Sequence, residues 1–300
     1  MMRLRAAMVC AGLVAGAAGC AAQDWAKAAL AKSPRHGEYV TIAEPGGRKL
    51  QAYVVYPEIA TKAPVVVLVH EIFGESDWFK EMADELAGAG YIAIAPDLLS
   101  GWGPNAATAK PMAGMGAGDH MHMEPGSPGA AYTAAMPGGT TAFPDQQSVV
   151  RAVVALPDAE VLADLDAAAD YGKKLAASNG KTYVAGFCWG GGKSFLYATH
   201  RRDLSGAFVF YGPPPPADAM KNIVAPVYGF YAANDARITA TVPHTTADMK
   251  AAGKVYEPVV YDGAGHGFMR AGEAPDANAA NSAARAEGFR RLVSLLGGMH

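Results

Sequence analysis

Cysteine is scarce in this chain: three occur in 300 residues, and two of them, Cys10 and Cys20, lie within the first twenty positions. A disulfide-built scaffold is therefore excluded, because Cys188 alone remains to serve the rest of the sequence. Charge is also sparse, at 18% Asp, Glu, Lys and Arg, with a formal net charge of −3 and no basic block. That balance argues against a nucleic-acid partner or an anionic membrane surface. The chain lacks both the G-x-G-x-x-G dinucleotide fingerprint and a P-loop lysine pattern, so no nucleotide cofactor is implied. Beyond the N-terminus no apolar run is long enough to span a bilayer. What is present is 51% hydrophobic residues, enough for one substantial core of the larger α/β type.

The N-terminus carries Arg3 and Arg5, then an uncharged apolar stretch from Ala6 to Gly19, then Cys20. A basic start, a short apolar core and small residues at a cut site are marks of an export signal. The tetrad Ala17-Ala18-Gly19-Cys20 resembles a bacterial lipobox, in which Cys20 would be lipidated and become the first mature residue. Residues 1–19 are thus expected to be an export signal, giving a periplasmic or lipid-anchored protein. Their removal takes away two arginines and no acids, so 25 basic residues become 23 against 28 acidic ones and the net charge becomes −5.

From residue 24 to residue 300 one domain is expected. Glu38–Ala43 and Leu50–Tyr56 flank a Pro-Gly-Gly turn and predict a β-hairpin. Pro64–His70 is apolar almost throughout, which suits a strand buried on both faces of a parallel sheet. Ser76 is placed to cap a helix bearing Trp78, Phe79, Met82 and Leu86 on one face. Further strands are expected at Tyr91–Ala95, Thr182–Ala185, Ala207–Tyr211, Val227–Tyr231 and Val255–Tyr261. Helical periodicity runs through 146–156, 161–177, 190–200, 242–252 and 279–296. This alternation predicts a mostly parallel sheet with helices on both faces, preceded by the hairpin.

Between about residues 100 and 145 the pattern lapses into Gly, Pro, Ala, Met and Thr. A stretch of this length inside a compact domain reads as an insertion that covers a site. Its Met112, Met115, His120, Met121, His122 and Met123 leave a second use open, since thioether and imidazole ligands suit copper. A metal-handling protein and a catalytically idle binding protein are the two rivals to an enzyme.

The strongest chemical signal is Gly186-Phe187-Cys188-Trp189-Gly190-Gly191, directly after an expected strand. The pattern G-x-C-x-G between strand and helix turns the chain sharply and presents its middle side chain above the sheet. Asp235 and His266 each follow a later strand, giving the order nucleophile, acid, histidine of the α/β-hydrolase fold. His266 can take the thiol proton while Asp235 holds the imidazole tautomer. The Trp189 amide, at a helix start, is one oxyanion donor, and Ile72 in the loop after the first buried strand is the simplest second one.

With these residues in place, the chain resembles the dienelactone hydrolases. The resemblance runs from about Gly37 to the end and rests on Glu71-Ile72-Phe73-Gly74, Pro96-Asp97-Leu98, the Cys188 elbow, Asn234-Asp235 and Gly265-His266-Gly267-Phe268. It implies an α/β-hydrolase that cleaves a small ester or lactone through a Cys-Asp-His triad, with no metal or cofactor. It also implies that Glu71 interacts with the resting thiol and assists its ionisation, and that Arg270 binds a substrate carboxylate. A second carboxylate-binding arginine would follow Asp97, but here the chain reads Leu99-Ser100-Gly101-Trp102, which argues against dienelactone itself as substrate.

Overall fold

The computed structural model describes residues 23–44, 47–104, 130–132 (backbone) and 138–298. Ten strands and ten α-helices are assigned within those residues. After helix α1 (Asp24–Leu30), strands β1 (Gly37–Ala43) and β2 (Lys49–Val55) form the antiparallel hairpin that the sequence predicts. Then follow β3 (Ala63–Val69), α2 (Asp77–Gly88) and β4 (Ile92–Asp97). Two short strands, β5 (Trp102–Pro104) and β6 (Ala130–Tyr132), pair separately in the insertion. The remainder alternates through α3 (Gln146–Val154), α4 (Asp158–Lys174), β7 (Ser178–Phe187), α5 (Trp189–His200), β8 (Gly206–Phe210) and α6 (Ala217–Met220). It closes with β9 (Val227–Ala232), α7 (Ala236–Thr239), α8 (Val242–Ala251), β10 (Tyr256–Tyr261), α9 (Phe268–Ala271) and α10 (Ala279–Gly298).

Eight strands form one sheet in the order β1-β2-β4-β3-β7-β8-β9-β10. The pairs β1/β2 and β2/β4 are antiparallel, and every pair from β4 onward is parallel. The unbroken apolar run of β3 has a simple cause. Val65, Val67 and Val69 enter the core on one face of the sheet, while Val66 and Leu68 enter the core on the other. All five are fully buried, and at roughly 1.5–3 kcal/mol per buried aliphatic side chain this strand anchors both layers. Helices α3, α4, α5 and α8 cover the first face, and α1, α2 and α10 cover the second.

Ser76 caps α2 as expected, its hydroxyl accepting from the Phe79 amide. Asp145 does the same for α3 through the Ser148 amide. Buried Arg48 fastens β2 to α4: Nη1 donates to Asp164 Oδ1 at 2.6 Å, and Nε and Nη2 donate to the Ser100 and Leu98 carbonyls. The short helices α6, α7 and α9 and the β5/β6 pair carry too few residues to show periodicity, and the sequence gives no sign of them. Cys20, the export segment and the whole Met/His run from Met112 to Met123 lie outside the described residues.

Candidate active site

The parallel order β3-β7-β8-β9-β10 sets five carboxyl ends side by side. Each delivers a reactive or polar group: His70, Glu71 and Ile72 after β3, Cys188 after β7, Tyr211 after β8, Asp235 after β9 and His266 after β10. Open α/β sheets place their ligand sites at such ends.

Cys188 sits at the tip of a tight elbow with φ 58° and ψ −117°, a conformation disfavoured for a residue with a Cβ. The neighbouring glycines make that turn sterically feasible. A Cβ at Gly186 would lie 1.9 Å from the Gly190 carbonyl oxygen, and one at Gly190 would lie 2.3 Å from that of Val69. Both obstacles are backbone atoms, so no side chain can move aside. The Cys188 amide donates to the Phe210 carbonyl at 3.0 Å, tying the elbow to β8.

The buried Cys188 Sγ lies 3.0 Å from His266 Nε2, and His266 Nδ1 lies 2.5 Å from Asp235 Oδ2. Asp235 is buried, and its carboxylate can only accept from Nδ1–H, which leaves Nε2 facing the sulfur. Burial opposes a charge on His266, but the hydrogen bonds to Asp235 and then Cys188 outweigh it and raise its pKa to about 10. Two loops are pinned to keep this geometry. Asn234 bonds across to Gly263 and Ala264 through its side chain and its amide, and the Gly265 amide donates to Asn281 on α10.

The side-chain geometry thus joins the three residues that the sequence places in hydrolase order. Residues 50–299 match the model of the dienelactone hydrolase family. The chain belongs to that family. A Yersinia pestis protein named as a carboxymethylenebutenolidase is 31% identical over 234 residues, covering 74% of this chain and 75% of that relative. A Salmonella typhi protein of the same name is 30% identical over 242 residues, covering 76% and 77%. The solved structure of a Klebsiella pneumoniae protein described as a dienelactone hydrolase superposes with a TM-score of 0.67 at 27% identity, covering 88% of this chain and 98% of that one.

In this dienelactone hydrolase family member, Glu71 does not hydrogen-bond Cys188. Its carboxylate instead accepts from Arg270 Nε at 2.7 Å and from the Tyr211 hydroxyl at 3.3 Å. Arg270 also stacks its guanidinium over the Phe73 ring, 4.8 Å from the centroid. Glu71 and Arg270, both singled out in the sequence, are therefore brought together as a pair, with Glu71 almost wholly buried. Ile72 and Trp189 are half-buried beside the core that contains Cys188. Trp189 is the first residue of α5, where an amide has no partner within its own helix.

Two residues at the site carry no motif. Tyr211 has φ 40°, is fully buried, and sets its ring edge-on to His266 at 5.1 Å. His70 is also fully buried, with its ring stacked on Trp189 at 5.6 Å. Each follows the end of a parallel strand, the one signal in the sequence that could have drawn attention to it.

Proposed function

We propose that this enzyme hydrolyses a small carboxylic ester or lactone by way of a thioester on Cys188. The observation that carries the reading is the continuous Cys188–His266–Asp235 array, with Sγ 3.0 Å from the imidazole nitrogen that can take its proton. The one proton shared by Cys188 and His266 rests on the imidazole as Sγ bonds to the carbonyl carbon, and the carbonyl oxygen becomes an oxyanion held by the Ile72 and Trp189 amides. Collapse of that intermediate breaks the bond to the leaving alkoxide, which takes the proton from His266. A water molecule then gives its proton to His266 and attacks the thioester, releasing the acid and restoring the thiol. The names of the Yersinia and Salmonella relatives support a lactone as one substrate class.

Arg270 is assigned to a substrate carboxylate, which must compete with Glu71 for the guanidinium. Glu71, released by that exchange, turns toward the thiol and assists its ionisation. The Arg3/Arg5 start and the apolar stretch to Gly19 support export with Cys20 as the lipidated residue. Mass spectrometry of the envelope protein, with Cys20→Ala as control, tests that part.

Purified Cys188→Ala protein assayed on p-nitrophenyl esters and a lactone panel tests the mechanism. Hydrolysis should vanish, and the wild type should accumulate an acyl adduct on Cys188 visible by intact mass. Turnover retained in the alanine variant would remove the thioester route.

A further inference from the structure

The imidazole of His70 is fully buried between Trp189, stacked at 5.6 Å and 14° between planes, and Phe79, edge-on at 5.7 Å. Its Nδ1 lies 2.7 Å from the backbone carbonyl oxygen of Glu71, whereas its Nε2 has no hydrogen-bond partner among the described residues. A carbonyl oxygen can only accept, so the proton must sit on Nδ1. Full burial, the largest influence on this ring, lowers its pKa and keeps it neutral. A buried imidazole that leaves one nitrogen unpaired costs stability, so its bond to this one carbonyl calls for a reason beyond packing.

That reason lies in the peptide unit itself. The Glu71 carbonyl and the Ile72 amide belong to one planar group, and no cis peptide occurs among the described residues. In a trans peptide the C=O and N–H point in opposite directions, so whatever fixes one fixes the other. His70 Nδ1–H holds the carbonyl from the core side, assisted by the Gly74 amide at 3.2 Å. The Ile72 N–H is thereby aimed away from the core. Donation to a carbonyl also polarises its amide and strengthens the opposite N–H as a donor. Trp189, the residue assigned the second oxyanion amide, is the one against which the His70 ring stacks, so a single side chain braces both donors.

We propose that His70 is a positioning residue that orients the Glu71–Ile72 peptide and braces Trp189, so that both amides point at the oxyanion; this rests on the hydrolytic reading of Cys188 given above. The side chain touches no reacting atom and acts only through the two donors.

The experiment compares His70→Phe, which keeps a ring for Trp189 but loses the Nδ1 donor, with His70→Asn, whose amide nitrogen occupies nearly the place of Nδ1. Deleting an oxyanion donor outright costs ~10²–10³ in kcat, so misaiming one in His70→Phe should cost ~10- to 100-fold with little change in KM. Alkylation of Cys188 by iodoacetamide forms no oxyanion and should stay within about threefold of wild type, since its transition state makes no demand on these amides. His70→Asn should recover most of the lost kcat. The proposal is overturned if His70→Phe keeps its kcat, if hydrolysis and alkylation fall together, or if asparagine restores nothing. Nitrogen-15 spectra of the wild-type ring give a test that needs no variant: a proton on Nδ1 supports the proposal, and a bare Nδ1 overturns it. Hydrolysis surviving Cys188→Ala would mark failure of the underlying mechanism instead.

Discussion

Replacing Arg270 with methionine keeps much of its aliphatic stem while removing the cation that faces Glu71 at 2.7 Å. The Glu71 side chain is only 4% exposed and that of Arg270 27% exposed, so the loss falls unequally on the two partners. In Arg270→Met the carboxylate stays in the interior with one long bond, from Tyr211 at 3.3 Å. Breaking a buried pair from one side costs ~3–5 kcal/mol, and discounting for the solvent already reaching Arg270 gives ~2–4 kcal/mol. At ~2–4 °C per kcal/mol for a domain of this size, the melting temperature should fall by about 5–15 °C. Glu71→Gln should cost less, about 1 kcal/mol, because the guanidinium can turn toward water and keeps the Phe73 ring. The double variant should therefore be more stable than the sum of the single losses implies, with a coupling energy of at least ~1 kcal/mol. Urea denaturation of all four proteins, compared at constant slope, measures the cycle. Additive losses, or a cost for Arg270→Met below about 1 kcal/mol, would refute the claim that this pair is energetically a unit. Esterase assays on the same proteins then separate the substrate role: Arg270→Met should raise KM for carboxylated lactones more than for neutral esters.

Three other outcomes follow from the geometry. Asp235→Asn should lower kcat by ~10²- to 10⁴-fold and bring the His266 pKa down from about 10, read by NMR titration; a kcat within threefold of wild type would count against the triad. Gly190→Ala sets a Cβ 2.3 Å from a backbone oxygen, so the purified variant should lose both cooperative melting and esterase activity, and a normal melt would contradict the close approach. Burial, and then the charge of Asp97, raise the Glu75 pKa to about 8, so the native state holds a proton that the unfolded chain has already released above about pH 4.5. Stability should accordingly fall as pH rises from 5 to 8, by at most ~1.4 kcal/mol per pH unit from this group, and Glu75→Gln should lessen that fall in melts across the range. Glu81 and Glu273, raised chiefly by burial to about 7 and about 8, add losses of the same sign, as does His266 above about pH 6.5, and Glu75→Gln leaves all three in place.

The sheet was readable because its strands carry their burial in their composition. Val65–Val69 must be apolar at every position to serve two cores, and the hairpin strands sit at the sheet margin with an alternating pattern. The elbow was readable for a different reason: a Cβ at Gly186 or Gly190 meets backbone, so the glycines are forced by sterics and appear as a motif. Helices of four residues leave no period to detect, which is why α6, α7 and α9 escaped. The partner of Glu71 was not legible for a third reason. Its partner is Arg270, 199 residues away, and pairing over such a distance depends on how β3 and the α9 turn meet.

By itself the sequence determined the fold class, the family and the order in which Cys188, Asp235 and His266 follow their strands, since each rests on local patterns of burial, turn geometry and residue type. Tertiary structure alone decided what each polar group faces. It set Sγ 3.0 Å from His266, gave Glu71 to Arg270 and Tyr211, and turned His70 onto the carbonyl of the Glu71–Ile72 peptide. Those contacts are made between the ends of different strands, and their distances are fixed by sheet order and loop anchoring, which no local stretch of residues encodes.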